Sequence, residues 1–413
     1  MPTIPEPSPA SAMLRQAVPA AFIGVAAGLM LIGFEGAVHK LEHLVWSTLP
    51  STLGIATESW WWPVSVLGVA GLAVGAILHL VPGHGGHDPA TTGLMAAPIS
   101  VRDALGMVLA SLVTLACGVS LGPEAALLGL FSAVLAVVAA RRDLPVQGVV
   151  TLGMAGLIGA LFGAPVGAAF AFVEMTPLAG EELYEKLVPL FVASSTGALS
   201  VVLVAGRPQL AIPLGAPRAF MAVDVVSAAV IGILGALAGL AIGELLRRIY
   251  PLALRVPLVA RVTIGGLALG AIAAVTGELV LFSGQAELPD LLTLDPTRPE
   301  LPLLLIGKIL SLAIALAVGF RGGKIFPGVF VGVALGVLIN GLVPGVPLAL
   351  AVGAATVGVV LAFVRLWLLS LLMVALIVGI DVVPLLGVAL IAAYFVVRQA
   401  PEVLVRTEAE PAG

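Results

Sequence analysis

Charge is scarce in this chain of 413 residues: Lys, Arg, Asp and Glu together make up 10% of it, against 60% hydrophobic residues. Soluble domains carry about 25% charged residues, so this scarcity excludes an ordinary water-soluble globule. A mean hydropathy of +1.17 makes it an all-α polytopic membrane protein. The single cysteine, Cys117, excludes an intramolecular disulfide and a cysteine-based metal site. A net charge of -4 gives no reason to expect a nucleic-acid partner. No basic n-region opens the chain. Met1 to Ala12 instead holds four prolines, which reads as a disordered cytoplasmic lead-in rather than a signal peptide. The paired groups of an intramembrane enzyme, a Gly-x-Ser-x-Gly serine with a buried His or His-Glu-x-x-His, are not found. His39 and His43 have the second spacing, but Lys40 follows the first and Glu42 precedes the second. Neither enzymatic activity nor a cofactor is expected.

What the chain has in plenty is glycine (49) and proline (30), which closely packed and broken membrane helices use. Apolar stretches run over 17–38, 63–82, 104–117, 125–140, 146–173, 187–205, 222–246, 258–281, 303–319, 325–343, 347–364 and 366–397. Several fall short of the roughly 20 residues a full crossing needs. Others are interrupted, at Gly163-Ala-Pro165 and at Gly322-Gly-Lys-Ile-Phe-Pro327. Broken helices are tolerated in a membrane where their backbone lines a protein-walled cavity, an architecture of transporters and channels. A polar hinge divides the chain, giving a lead-in (1–14), a first membrane half (15–205), a linker (206–221), a second half (222–400) and a short tail (401–413). Each half has a glycine-rich loop, near Glu124 or Phe326, with a helix break some 40 residues on, at Pro165 or Arg365. Such correspondence suggests an inverted repeat of tilted and broken helices. Arg141-Arg142, Arg247-Arg248, Arg255, Arg261, Arg398 and Arg406 mark cytoplasmic loops by the positive-inside rule.

The most informative stretch is Gly118-Val-Ser-Leu-Gly-Pro-Glu-Ala-Ala126. A carboxylate at bilayer depth costs about 2.5–3.5 kcal/mol on insertion scales, so Glu124 is a functional residue by expectation. Gly122-Pro123 reads as a helix start, and a helix N-terminus attracts anions through its free N–H groups and dipole. An acid tethered there can occupy an anion site and leave it on protonation. Asp88, with His84 and His87, stands in a glycine loop that reads as a solvated turn rather than a metal site. Gly319-Phe-Arg-Gly-Gly-Lys324 lacks the spacing and the Ser/Thr of a phosphate loop.

From about residue 20 to 400 the sequence resembles the CLC family of chloride channels and chloride/proton antiporters. Gly118-Val-Ser-Leu-Gly122-Pro-Glu124 is similar to the family's gating signature, which makes Glu124 the gate and places Gly122, Pro123 and Ala125 at the anion. Pro123 stands where the family has a basic residue, and Ala125-Ala126 replaces Gly-Pro. Gly323-Lys-Ile-Phe-Pro327 resembles the family's Gly-x-Phe-x-Pro signature, which implies that backbone N–H groups around Ile325 and Phe326 face the anion, with Lys324 adding charge. Gly85-Gly86-His-Asp-Pro89 occupies the place of Gly-Ser-Gly-Ile-Pro, with Gly86 in place of the serine and Thr91 or Thr92 as substitutes for its hydroxyl. The family's central tyrosine has no counterpart: Val403 to Val405 occupy its zone, and Tyr394 comes too early. In Gly163-Ala-Pro165 to Glu174-Met175, Glu174 matches the first of the antiporters' two acids and Met175 the second, proton-carrying one. A thioether carries no proton, so the resemblance implies a channel-like or uncoupled chloride conductor. Shifting the alignment by one makes Glu174 the proton acid and implies antiport. The resemblance further implies a homodimer in a bacterial plasma membrane with chloride, or another inorganic anion such as nitrate or fluoride, as the ion carried.

Overall fold

The computed structural model describes residues 9–56, 59–83, 85–93, 99–175, 180–206, 214, 220–294 and 299–405. Among these there are sixteen α-helices and no β-strand. They are α1 (Pro9–His43), α2 (Leu49–Leu53), α3 (Trp61–Leu80), α4 (Val101–Ala116), α5 (Glu124–Arg141), α6 (Val146–Phe162), α7 (Pro165–Glu174) and α8 (Gly180–Ala205). There follow α9 (Ala222–Ala253), α10 (Leu258–Thr276), α11 (Leu288–Thr293), α12 (Glu300–Val318), α13 (Ile325–Leu342), α14 (Leu348–Val364), α15 (Trp367–Val378) and α16 (Val383–Gln399). Nine spans among the described residues are long and apolar enough to cross a membrane, whereas α6, α7, α14 and α15 are apolar but shorter.

The expected breaks have identifiable causes. The run 146–173 divides at Gly163, which caps α6 in the left-handed region (φ 64°), and Pro165 then opens α7. Its counterpart is Arg365, a non-glycine residue at φ 56° that ends α14. Such a backbone needs outside support, and the Arg365 Nη2 donates to the Ala400 carbonyl at 2.7 Å. The run 366–397 also divides, at Gly379 (φ 102°), into α15 and α16. Helix order repeats along the chain: α4 to α7 have 16, 18, 17 and 10 residues, and α12 to α15 have 19, 18, 17 and 12. The helix α1 starts at Pro9, so the end of the expected lead-in is helical. The expected linker lies between α8 and α9. Most of it, with Arg218, is outside the described residues, as are His84, Arg406 and most of the tail.

The chain forms two compact units. One comprises 1–34 with 131–211. In it α6, α7 and α8 pack together, and α6 and α8 approach so closely that a Cβ on Gly197 would strike the Gly156 backbone and a Cβ on Gly159 the Ser194 backbone. Ser194 Oγ donates to the Pro165 carbonyl at 2.9 Å, which ties the start of α7 to α8. The other unit comprises 35–130 with 212–413. In it α3 packs on α10, and α14 packs on α9, α13 and α16. The helix α14 is apolar all round and buried from Ala349 to Phe363, as expected of a helix at the centre of its unit.

Candidate functional site

Two glycine loops meet in the second unit. Gly122 N–H donates to the Gly323 carbonyl at 2.8 Å and Gly323 N–H to the Gly122 carbonyl at 2.6 Å. Side chains are excluded at this crossing because a Cβ on either glycine would strike the Glu124 carboxyl group. Each loop then opens a helix, α5 at Glu124 and α13 at Ile325. Glu124 is 1% exposed. Its Oε1 accepts the N–H of Phe326 at 2.9 Å, and the N–H groups of Ile325 and of Glu124 itself lie by the same carboxyl. Its Oε2 is buried without a hydrogen-bond partner. The carboxylate therefore sits where the partial positive charge of the α13 N-terminus would hold an anion. An acid that loses its charge loses most of the reason to stay there.

The lead-in to Glu124 is braced from behind. Gly118, in the left-handed region (φ 85°), accepts at its carbonyl the N–H of Phe282 at 2.8 Å. The Phe282 ring meets Trp46 edge-on at 5.5 Å, and Trp46 Nε1 donates to the Ala116 carbonyl at 3.1 Å. Lys308 holds the loop that carries Phe282. It is fully buried on α12, and its Nζ donates to the carbonyls of Val280 (3.1 Å), Leu281 (2.8 Å) and Phe282 (3.0 Å) over the Phe330 ring at 4.5 Å. Half-buried Glu287, between the spans, balances this cation. Burial raises its carboxyl above the usual carboxylate range and Lys308 pulls the other way. Lys308 escaped the sequence reading although the signal was there, as a lone lysine within the run 303–319. Contrary to the sequence reading, the outline Gly-x-Ser-x-Gly does occur, as Gly118-Val-Ser-Leu-Gly122, and its Ser120 Oγ is buried with no hydrogen-bond partner among the described residues.

The other expected residues are placed as follows. Gly122, Pro123, Gly323, Ile325, Phe326 and Pro327 are buried around Glu124, and Ala125 is half-buried. Lys324 is half-buried, and its Nζ donates to the Val403 carbonyl at 3.1 Å, so its ammonium is engaged by the chain's own backbone. Val403, in the zone of the missing tyrosine, is buried at 2% exposure. Tyr394 stacks on Trp367 at 4.3 Å instead. Gly85 (φ 72°) and Gly86 (φ 68°) form a turn beside Arg321 and Met107. Thr91 Oγ1 donates to the Asp88 carbonyl at 3.2 Å, so this hydroxyl serves the turn. Among the described residues no group of three His, Cys, Asp or Glu is placed to hold a metal. In the first unit, Glu174 ends α7 and is exposed, and Met175 after it is 54% exposed.

A multi-pass helical membrane protein with two glycine loops crossing at a buried acid describes a known class. The sequence pattern of the voltage-gated chloride channels matches residues 70–398, and the chain belongs to that family, the CLC family. Over 403 residues it is 35% identical to the ion-transport protein YfeO of Escherichia coli, with 96% of each chain covered. In fold it is similar to a CLC-type fluoride/proton antiporter, with a TM-score of 0.72 and 18% identity, covering 94% of this chain and 96% of that one. It is similar also to a slow cyanobacterial Cl-/H+ antiporter, with a TM-score of 0.79 and 16% identity, covering 93% and 94%.

Proposed function

We propose that this protein carries chloride across the membrane as a channel-like or uncoupled conductor, with Glu124 as its gate. Membership of the CLC family and likeness to an ion-transport protein support anion transport. The observation that carries the gate is the Glu124 carboxylate on the Phe326 N–H at 2.9 Å, since an anion and this acid cannot occupy one helix N-terminus together. Uncoupled flow follows from Met175, which cannot relay a proton at the inner position. The protein works as a homodimer in a bacterial inner membrane, each subunit with its own path, and has no enzymatic activity. The test is chloride efflux from liposomes across a pH series. The wild type should flow faster as pH falls, because protonated Glu124 releases the α13 N-terminus, and Glu124→Gln should be open and flat. Equal rates and equal pH response in the two proteins would refute the gate.

A second reading is chloride/proton antiport, with Glu174 as the inner proton acid. Its support is the single ionisable carboxylate at the end of α7. Stoichiometric proton movement that Glu174→Gln abolishes would favour it. Nitrate or fluoride in place of chloride is distinguished by ion substitution in the same efflux assay.

A further inference from the structure

Phe282 stands in the left-handed region (φ 57°) without being glycine, and for a bulky side chain that is a strained backbone which only its surroundings can maintain. Three anchors maintain it. Its N–H donates to the Gly118 carbonyl at 2.8 Å, its own carbonyl accepts Lys308 Nζ at 3.0 Å, and its ring meets Trp46 edge-on at 5.5 Å. Trp46 in turn belongs to a π-helical turn, Leu44–Thr48, that follows α1, and such turns are frequent at functional sites. A Cβ on Gly118 would stand 3.0 Å from the Trp46 ring and 3.4 Å from the Phe282 ring, so the two rings clamp the chain that leads to Glu124.

The same loop reaches the helix that receives the acid. A Cβ on Gly284 (φ 89°) would strike the Phe330 side chain, and Phe330 lies one turn along α13 from Phe326, whose N–H holds the Glu124 carboxylate. The loop 282–284 therefore touches both halves of the gate, the lead-in to α5 through Gly118 and the first turns of α13 through Phe330. The charged residues on the surrounding elements are others. Lys324 is bound to the Val403 carbonyl, Arg321 interacts with Asp88, Tyr250 and Arg261, and Lys308 acts on Glu287, which Glu42 of α1 also affects. Phe282 and Trp46 carry no charge, so changing them alters geometry while every titrating group stays in place.

We infer that Phe282, held against Trp46, is a positioning residue of the gate: it fixes Gly118, and with it the place of the Glu124 carboxylate on the α13 N-terminus, and so sets the pH at which the gate lets go. This deepens the reading of Glu124 as a gate and rests on it. The sign follows from the geometry. Well-placed N–H groups favour the charged form of a carboxylate, so a loosened clamp weakens the hold on that form and moves release to higher pH. The competing account is that Phe282 only fills space beside Lys308. Its loss would then cost stability and leave the pH of release where it was.

The test is chloride efflux from liposomes holding the purified protein, measured across a pH series and repeated in a Glu124→Gln background. Phe282→Ala should move the midpoint of the pH response up by about one unit, which is a ten-fold weaker hold on the charged form, and raise flow at neutral pH several-fold. Phe282→Gly should move it equally while unfolding at a higher temperature than Phe282→Ala, because glycine relieves the left-handed backbone. It keeps the test decisive where the alanine variant fails to fold. Trp46→Phe removes the indole N–H that binds the Ala116 carbonyl and should move the midpoint the same way by less. With Glu124→Gln present, none of the three should change the rate by more than about two-fold, as expected of residues that act through one another. A midpoint unmoved in both Phe282→Gly and Trp46→Phe, or rate changes of equal size with and without the Glu124 carboxyl, overturns the clamp alone. A wild-type pH response that Glu124→Gln leaves intact refutes the gate itself, and the clamp falls with it.

Discussion

Two glutamates mark helix ends in this molecule, and they are held in opposite ways. Glu124 is the first residue of α5 and lies 1% exposed against the N-terminus of α13. Glu174 is the last residue of α7 and is exposed. A helix N-terminus offers partial positive charge and free N–H groups to a carboxylate, whereas a C-terminus offers partial negative charge and carbonyls. The first acid is therefore held by the fold in a place an anion would take. The second stands at the end whose partial charge opposes a carboxylate, and it is exposed to water. Having a carboxylate is thus not what makes a gate: a gate needs an end of a helix that rewards the charged form and lets go of the neutral one.

Substitutions separate the two helix ends. The largest effect should come from Lys308→Met, which removes the brace behind Gly118 and leaves three carbonyls and Glu287 without their cation. Leaving a buried hydrogen-bonding group unsatisfied costs about 1–3 kcal/mol, and three carbonyls lose their donor here, so the thermal transition of the detergent-solubilised protein should fall by several degrees. An unchanged transition would mean the Glu124 loop does not depend on that brace. Next comes Glu124→Gln, which gives up a charge-assisted hydrogen bond of about 1.5–3 kcal/mol. Chloride flow at neutral pH should rise by about ten-fold or more and lose its pH response. Gly323→Ala places a methyl group against the Glu124 carboxyl. Weakening that charge-assisted hydrogen bond by about 1 kcal/mol, part of its value, should raise flow roughly five-fold while some pH response survives. The smallest effect belongs to Glu174→Gln, an exposed site where substitutions stay within about 0.5 kcal/mol. Its chloride flow should stay within about two-fold of the wild type, and a larger loss would give Glu174 a part in transport.

The contrast also explains what the sequence reveals. Glu124 stands out because one acid in an apolar, glycine-punctuated run is costly enough to demand a reason, and the break at Gly163-Ala-Pro165 is legible because glycine and proline punctuate helices locally. The partners of these residues are another matter. Phe326 donates to Glu124 from 202 positions away, and Gly122 pairs with Gly323 across a similar distance. Only the packing of whole helices brings such groups together, so no local pattern encodes them. Lys308 lies between: a lone lysine in an apolar span is visible as a question, but its answer is a set of carbonyls 26 to 28 residues earlier. Arg321 and Asp88 read separately as parts of polar turns. Their meeting, with Arg261 and Tyr250, is a product of the fold alone.

The proposed gate at Glu124 lets anions pass without obligatory proton exchange. The measurement that tests it most directly is chloride efflux from liposomes containing the purified protein, with external pH recorded at the same time. The account predicts chloride efflux with a flat external pH, and a fixed ratio of protons moved per chloride would contradict it.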